Sequence, residues 1–156
     1  MIRSELTAYI QELTNIIWSQ QDDKTLYFLR GNAYLDNSEL DNAILDYNSV
    51  IQMDPEDSSA FNNRGIAYRL KGEPENAIKD FVEAMRIRPD YRDTYNNWGM
   101  ALFDQGHYTA AIVKYTKAIN LDNKFWYSYN NRGLALWALG EKDAAIVDYK
   151  KARELT

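Results

Sequence analysis

The sequence contains no cysteine and only one histidine among its 156 residues. The lack of cysteine excludes disulfide bonds, thiolate metal sites and cysteine nucleophiles, and a single imidazole cannot form a multi-histidine metal site. Long apolar runs are also missing. None approaches the ~18 residues that a membrane-spanning helix needs, and the first residues lack the apolar core of a secretory signal. We therefore expect a cytoplasmic protein that does not insert into a membrane.

Positive charge is scarce, because 18 Lys and Arg residues stand against 23 Asp and Glu residues, for a formal net charge of −5. Nucleic-acid-binding surfaces are basic, so no nucleic-acid partner is expected. The catalytic and nucleotide-binding motifs GxxxxGK[ST], GxGxxG, HExxH and GxSxG are absent. His107 follows Gly106 in a predicted turn, which favours a solvent-exposed residue over a general base. We predict no enzyme activity, no cofactor and no metal site.

The sequence does contain a repeat with a period of 34 residues. Asn-Asn-Arg-Gly ends at Gly65 and at Gly133, Asn-Asn-Trp-Gly ends at Gly99, and Gly31 lies one period before Gly65. When this glycine is position 8, the repeats begin at Lys24, Ser58, Arg92 and Trp126. Alanine occupies positions 10 and 20, isoleucine position 21 and an aromatic residue position 24, the last being Tyr47, Phe81, Tyr115 and Tyr149.

This pattern predicts a helical hairpin in each repeat. Positions 4, 8 and 11 share one face of a first helix, and positions 20, 24, 27 and 28 share one face of a second helix. Glycine at position 8 and alanine at position 20 allow the two helices to approach closely. Gly72, Gly106 and Gly140 follow the first helices as stops, and Pro74 suits a first helical turn. Repeat one has Asn37 near this place, and asparagine tolerates the left-handed conformation.

The motif Phe61-x-x-Arg64-Gly65-x-x-Tyr68, followed by Ala77-x-x-x-Phe81 and then Pro89, resembles the tetratricopeptide repeat (TPR). The resemblance covers residues 24–156 and implies an all-α, right-handed superhelical solenoid of four helical hairpins. It also implies a non-enzymatic role in protein–protein interaction. The expected repeats are 24–57, 58–91, 92–125 and 126–156.

The two ends of the chain are predicted to differ from the repeats between them. Residues 1–23 form an N-terminal capping helix and linker, because Ile10, Leu13 and Ile17 fall where a second helix has its apolar residues. We expect repeat four to lack its last three positions and a C-terminal solvating helix. The last helix should therefore expose part of a face that contains Ile146, Tyr149 and Leu155.

Position 7 departs from the family pattern, which usually has an aliphatic residue there. Where position 7 is arginine, position 23 is aspartate, and where position 7 is Trp98, position 23 is Lys114. The joint change predicts ion pairs that join the two helices of repeats one, two and four. The alternative is that both are independent surface residues, since exposed pairs are often worth under ~1 kcal/mol. The predicted pairs are Arg30–Asp46, Arg64–Asp80 and Arg132–Asp148.

In a superhelix of hairpins, the first helices line the concave groove. Positions 5 and 6 of repeats two to four are all asparagine, which makes a ladder flanked by apolar residues. An amide both donates and accepts, so successive asparagines could hold the main chain of an extended, mildly apolar peptide. This resembles the asparagine ladder of O-linked N-acetylglucosamine transferase. The predicted groove residues are Asn32, Asn62, Asn63, Ile66, Arg69, Asn96, Asn97, Met100, Phe103, Tyr127, Asn130, Asn131, Leu134 and Trp137.

Three alternatives accompany this interpretation. The asparagines could merely satisfy a polar helix face, although their poor helix propensity argues against that. The chain could instead be a structural self-association module, a homodimer formed through the C-terminal end or the N-terminal helix. Some family members clamp acidic C-terminal tails of chaperones, but the three cations of that clamp are replaced here by Phe28, Asp93 and Asn97. We therefore do not expect binding of acidic chaperone tails.

Overall fold

The computed structural model describes residues 3–156, and that part of the chain is helical with no strand. The all-α class predicted from the sequence is confirmed. None of the helices described is both long and apolar enough to cross a bilayer. The helices are α1 Arg3–Ile17, α2 Lys24–Asp36, α3 Leu40–Met53, α4 Ser58–Leu70, α5 Pro74–Ile87, α6 Arg92–Asp104, α7 Tyr108–Leu121, α8 Trp126–Ala138 and α9 Lys142–Glu154.

The chain divides into two compact halves. The N-terminal half ends at Ile87 and contains α1 to α5, and the C-terminal half begins at Arg88 and contains α6 to α9. In the N-terminal half α2 packs on α3 and α4 on α5, and in the C-terminal half α6 packs on α7 and α8 on α9. Each pair is one helical hairpin, and each first helix begins at the residue that the repeat frame assigns to position 1.

Local signals in the sequence begin and end these helices. Before α2 the Asp23 carboxylate accepts a hydrogen bond from the backbone N–H of Thr25, which caps the helix. The turns between paired helices need positive φ, which glycine supplies in repeats two, three and four. In repeat one Ser38 has φ +63°, whereas Asn37 has φ −82°. The expectation for Asn37 is therefore wrong: Ser38 occupies the position of the other repeats' glycines, and the Asn37 amide donates to Glu39 instead.

The glycine at position 8 lies directly against the aromatic ring at position 24. A Cβ atom added to Gly99 would lie 2.5 Å from Cε1 of Tyr115, and one added to Gly65 would lie 2.7 Å from Cε1 of Phe81. No real Cβ makes such contacts, so any larger residue would push the two helices of the hairpin apart. The rings fill the core of each hairpin, with Tyr47, Phe81 and Tyr115 buried.

Helix α1 takes the place of a second helix at the start of the N-terminal half. Its buried residues Leu6, Ile10, Leu13 and Ile17 recur at helical spacing, as expected for an apolar face. Leu6 and Ile10 form one cluster with Ala33 of α2. Thr14 of α1 accepts a hydrogen bond from Arg30 of α2, a contact described below.

We expect Gly99→Ala to destabilise the protein. Overpacking against Tyr115 should outweigh the helix-propensity gain of alanine, for a net loss of about 1–2 kcal/mol in the free energy of unfolding. Urea unfolding followed by circular dichroism measures it. In a Tyr115→Leu background the same substitution should cost less, because the obstructing ring is gone. An equal cost in both backgrounds would contradict the contact.

Candidate peptide-binding site

In the N-terminal half, the asparagines at the predicted groove bind to one another. Asn62 Nδ2 donates to Asn63 Oδ1 at 3.0 Å, and Asn63 Nδ2 donates to Asn32 Oδ1 at 2.9 Å. The Tyr47 hydroxyl donates to the same Asn32 oxygen at 2.8 Å. The chain of amides therefore links repeat one to repeat two.

The C-terminal half makes the corresponding link in another way. Asn131 Nδ2 donates to Asn96 Oδ1 at 3.0 Å, and the Ser128 hydroxyl donates to the same oxygen at 3.0 Å. Position 9 is Asn32 in repeat one but Met100 in repeat three, and a thioether sulfur is only a weak acceptor. The position-6 asparagine of repeat four therefore bonds to position 5 of the preceding repeat rather than to position 9.

Two predicted groove residues are not accessible. Asn62 is 3% exposed and Asn96 is 6% exposed, so the expectation that these amides face a ligand is wrong for both. A helical wheel gives the direction of a side chain but not the space that neighbouring helices occupy, and Asn96 lies against α8 through Ser128. Asn130, at the same position of repeat four, is half-buried.

The C-terminal half brings four predicted residues together around one cavity of about 190 Å³. Three of them are apolar, and the fourth, Asn131, keeps a second amide N–H and its carbonyl oxygen beyond the bond to Asn96. The cavity also includes Tyr115, assigned by sequence to packing, and Asp104, at position 13 of the same helix face. The lining residues are Met100, Phe103, Asp104, Tyr115, Asn131 and Leu134.

A second cavity, of about 230 Å³, opens in the N-terminal half at the start of α2. It contains Phe28 at position 5 of repeat one, beside polar groups from both first helices. The Lys24 ammonium binds the Asp54 and Asp57 carboxylates, so both charges of the cavity are paired. The lining residues are Lys24, Thr25, Phe28, Asp57 and Ser59.

The remaining predicted residues do not line either cavity. Ile66, Arg69 and Asn97 are half-buried in their own halves. Tyr127 is exposed and stacks on Trp126 with ring centroids 3.7 Å apart. Trp137 is exposed, and the Lys142 ammonium lies 5.5 Å from its ring centroid.

The predicted Arg–Asp pairs are present in repeats one, two and four. Arg30 donates to Asp46 through two nitrogens at 2.8 and 2.7 Å, and the same two-point contact joins Arg64 to Asp80 and Arg132 to Asp148. All three aspartates are buried, and two-point pairing of this kind is the strong form of the interaction. The hydrogen bond to Asp46 raises the pKa of the Arg30 guanidinium above its usual value.

Repeat three replaces the ion pair by a different contact. The Lys114 ammonium lies 3.3 Å from the ring centroid of Trp98, a cation–π arrangement. Burial lowers the pKa of Lys114 from its usual value. Positions 7 and 23 therefore form a cation contact across the hairpin in every repeat. It is an arginine–aspartate ion pair in repeats one, two and four and a lysine–tryptophan contact in repeat three.

Each arginine also makes a third side-chain hydrogen bond, to a residue that sequence reasoning missed. Its remaining terminal nitrogen donates to position 25 of the preceding second helix, and α1 supplies that position for repeat one. The sequence feature that marks this hydrogen bond is a residue with a side-chain oxygen at position 25 of the second helix that precedes each arginine. The pairs are Arg30 with Thr14 at 3.1 Å, Arg64 with Asn48 at 2.6 Å, and Arg132 with Thr116 at 3.0 Å.

His107 lies where the sequence places it. It is exposed in the turn before α7, and its backbone N–H donates to the carbonyl of Leu102. In residues 3–156 no three His, Asp or Glu side chains converge in the manner of a metal site.

The geometry of these hairpins agrees with the comparisons with known proteins. A model described as TPR repeat matches residues 31–72 and 99–140, and two tetratricopeptide repeat models match residues 58–91 and 127–156. The chain belongs to the tetratricopeptide repeat family. No curated protein sequence matches this TPR chain.

Solved TPR structures share the fold at low sequence identity. A crystal structure of MamA is 24% identical, with a TM-score of 0.85 over 97% of this chain and 89% of that one. MamA from Desulfovibrio magneticus RS-1 is 16% identical, with a TM-score of 0.85 over 98% and 86%. The first TPR of Spaghetti (RPAP3), bound to the HSP90 peptide SRMEEVD, is 23% identical, with a TM-score of 0.71 over 75% and 93%.

We expect Arg64→Lys to destabilise the protein. A lysine ammonium cannot keep both contacts to Asp80 and the contact to Asn48, so the free energy of unfolding should fall by about 1–3 kcal/mol. Urea unfolding measures the change. Arg86→Lys is the matched control, because Arg86 makes ion pairs with Glu56 and Glu83 at the exposed surface. Equal effects of the two substitutions would show that the buried pair adds nothing.

Proposed function

We propose that this TPR chain is a non-enzymatic protein–protein interaction adaptor. Its ligand is an extended, mildly apolar peptide segment or a helix, bound on the open side of the first helices. The observation that carries this proposal is the cavity formed by Met100, Phe103, Tyr115 and Leu134, which gathers four apolar or aromatic side chains beside one amide. Membership of the TPR family supports an interaction role.

Of the predicted asparagine ladder, the proposal uses one residue, Asn131, for binding the ligand. Asn131 makes one hydrogen bond inside the protein and has one N–H and its carbonyl oxygen left for a peptide main chain. One such bond contributes only about 1 kcal/mol, whereas burying one leucine-sized side chain contributes about 1.5–3 kcal/mol. The apolar cavity therefore supplies most of the affinity, and Asn131 orients the bound segment.

The charge of the same face sets the ligand apart from an acidic tail. The structural neighbour from Spaghetti carries the peptide SRMEEVD, which has two glutamates before its final valine and aspartate. In this chain the clamp cations are replaced by Phe28, Asp93 and Asn97, and Asp104 lines the cavity itself. Without those cations a carboxylate-rich tail would not be neutralised, so we expect no binding of acidic chaperone tails.

Self-association is a second candidate function. In α9, Ile146 and Val147 are exposed, and Val113 of α7 is exposed in the same half. Exposed apolar side chains of this kind favour contact with another protein, and a second copy would form a homodimer. Light scattering tests this candidate, because a monomer mass that does not change with concentration would exclude it.

The peptide site is tested by selecting binders from a random phage-displayed peptide library and measuring their affinity by calorimetry. Leu134→Gln should weaken binding at least about tenfold, because the apolar contact with the ligand is lost. Leu139→Gln is the matched control, since Leu139 is the C-cap residue directly after the same helix, is 42% exposed against 45% for Leu134, and does not line the cavity. Equal affinities for the two variants would contradict the proposed site.

A further inference from the structure

In the first two repeats, the arginine at position 7 contacts an aromatic ring at position 11. Arg30 Cζ lies 5.7 Å from the ring centroid of Tyr34, and Arg64 Cζ lies 5.9 Å from that of Tyr68. Both are cation–π contacts, in which the positive guanidinium meets the negative face of a ring. These two repeats therefore supply the position-11 ring from their own side chains.

Repeat four has the arginine without this ring. Arg132 Cζ lies 5.7 Å from the ring of Tyr129 at position 4, but position 11 is Leu136, which has no π face. A cavity of about 450 Å³ opens beside the guanidinium. The lining residues are Ile112, Thr116, Arg132, Leu136, Ala144, Val147 and Asp148.

The cavity is apolar apart from the arginine and its partners. Val147 at its rim is 65% exposed, which leaves an apolar surface without cover in this chain. The Arg132 side chain is 21% exposed, against 15% for Arg30 and 18% for Arg64, in line with the missing ring. Position 19 of this repeat is Ala144, which lines the cavity and is smaller than the asparagine at position 19 of repeats one and two.

We propose that this cavity binds a tyrosine or phenylalanine side chain of a partner protein, stacked on the Arg132 guanidinium. The ring and the guanidinium would make the same cation–π contact as in repeats one and two, but the ring would come from the partner protein. Asp148 pairs with the guanidinium along its edge, which leaves a face of the guanidinium plane for the ring. The apolar lining matches the rest of the ring.

The site is ordered before any ligand arrives. Asp148 accepts two hydrogen bonds from Arg132 at 2.7 and 2.8 Å, and Thr116 accepts a third at 3.0 Å. A side chain held at three points loses little further freedom when a ring stacks on it, which lowers the cost of binding. The site shares no residue with the cavity around Leu134, so the two proposals stand independently.

The test uses two capped tripeptides, acetyl-Gly-Tyr-Gly-amide and acetyl-Gly-Leu-Gly-amide, titrated into the full chain and followed by NMR. The tyrosine peptide should shift the Arg132 Nε–Hε signal and the Val147 methyl signals. It should bind about fivefold more tightly than the leucine peptide, because only a ring gains the cation–π contact. Equal affinities, or shifts confined to other residues, would overturn the proposal.

Leu136→Tyr gives repeat four the ring that repeats one and two already have, and it should abolish binding of the tyrosine peptide. Ala144→Leu, which fills the cavity from α9, should have the same effect even if Leu136→Tyr perturbs folding. Leu139→Tyr, outside the cavity, should leave binding unchanged, and circular dichroism checks the helicity of each variant. Retained binding in both cavity-filling variants would contradict the site. Leu134→Gln should not alter it, which separates this test from that of the peptide site.

Discussion

The contact between the position-8 glycine and the position-24 ring is the constraint on which each hairpin depends. It brings the two helix backbones so close that a single added carbon at Gly99 would collide with Tyr115. At this separation the side chains at positions 7 and 23 meet as a two-point ion pair, as Arg132 and Asp148 do. The same approach keeps the ring inside the hairpin and turns the opposite side of the first helix outward.

Polar residues at repeating positions serve mainly to join repeats within each half. Arg64 connects its own hairpin to the preceding second helix through Asn48, and Asn63 connects neighbouring first helices through Asn32. Each of these groups is largely satisfied inside the protein, as buried polar groups must be. The residues that line the two proposed sites lie where the pattern varies between repeats, as at Met100, Leu134 and Leu136.

The sequence predicted the fold well because its period is strict. The 34-residue frame placed the first residue of every first helix, and the joint change of positions 7 and 23 predicted the ion pairs. Both depend on local geometry that one helix or one hairpin defines.

The site was harder to predict, because it depends on packing between hairpins. The burial of Asn96 results from Ser128 on a neighbouring helix, which a helical wheel does not describe. Asn131 bonds to Asn96 because Met100 offers only a sulfur atom as acceptor, and this contact joins residues of two different repeats. The cavity beside Arg132 is lined by residues of α7, α8 and α9 together, and no periodic pattern marks it.

The proposed ligand-binding sites are apolar cavities beside a few oriented polar groups, and the repeated geometry of the hairpins supports them. The central claim is that the cavity of Met100, Phe103 and Leu134 receives an apolar side chain of a bound peptide. The most direct measurement is a set of NMR distance contacts between a selected peptide and methyl-labelled protein. We expect contacts from an apolar peptide side chain to the Met100 and Leu134 methyl groups. Contacts only to methyl groups of the second helices, such as those of Val113, would contradict it.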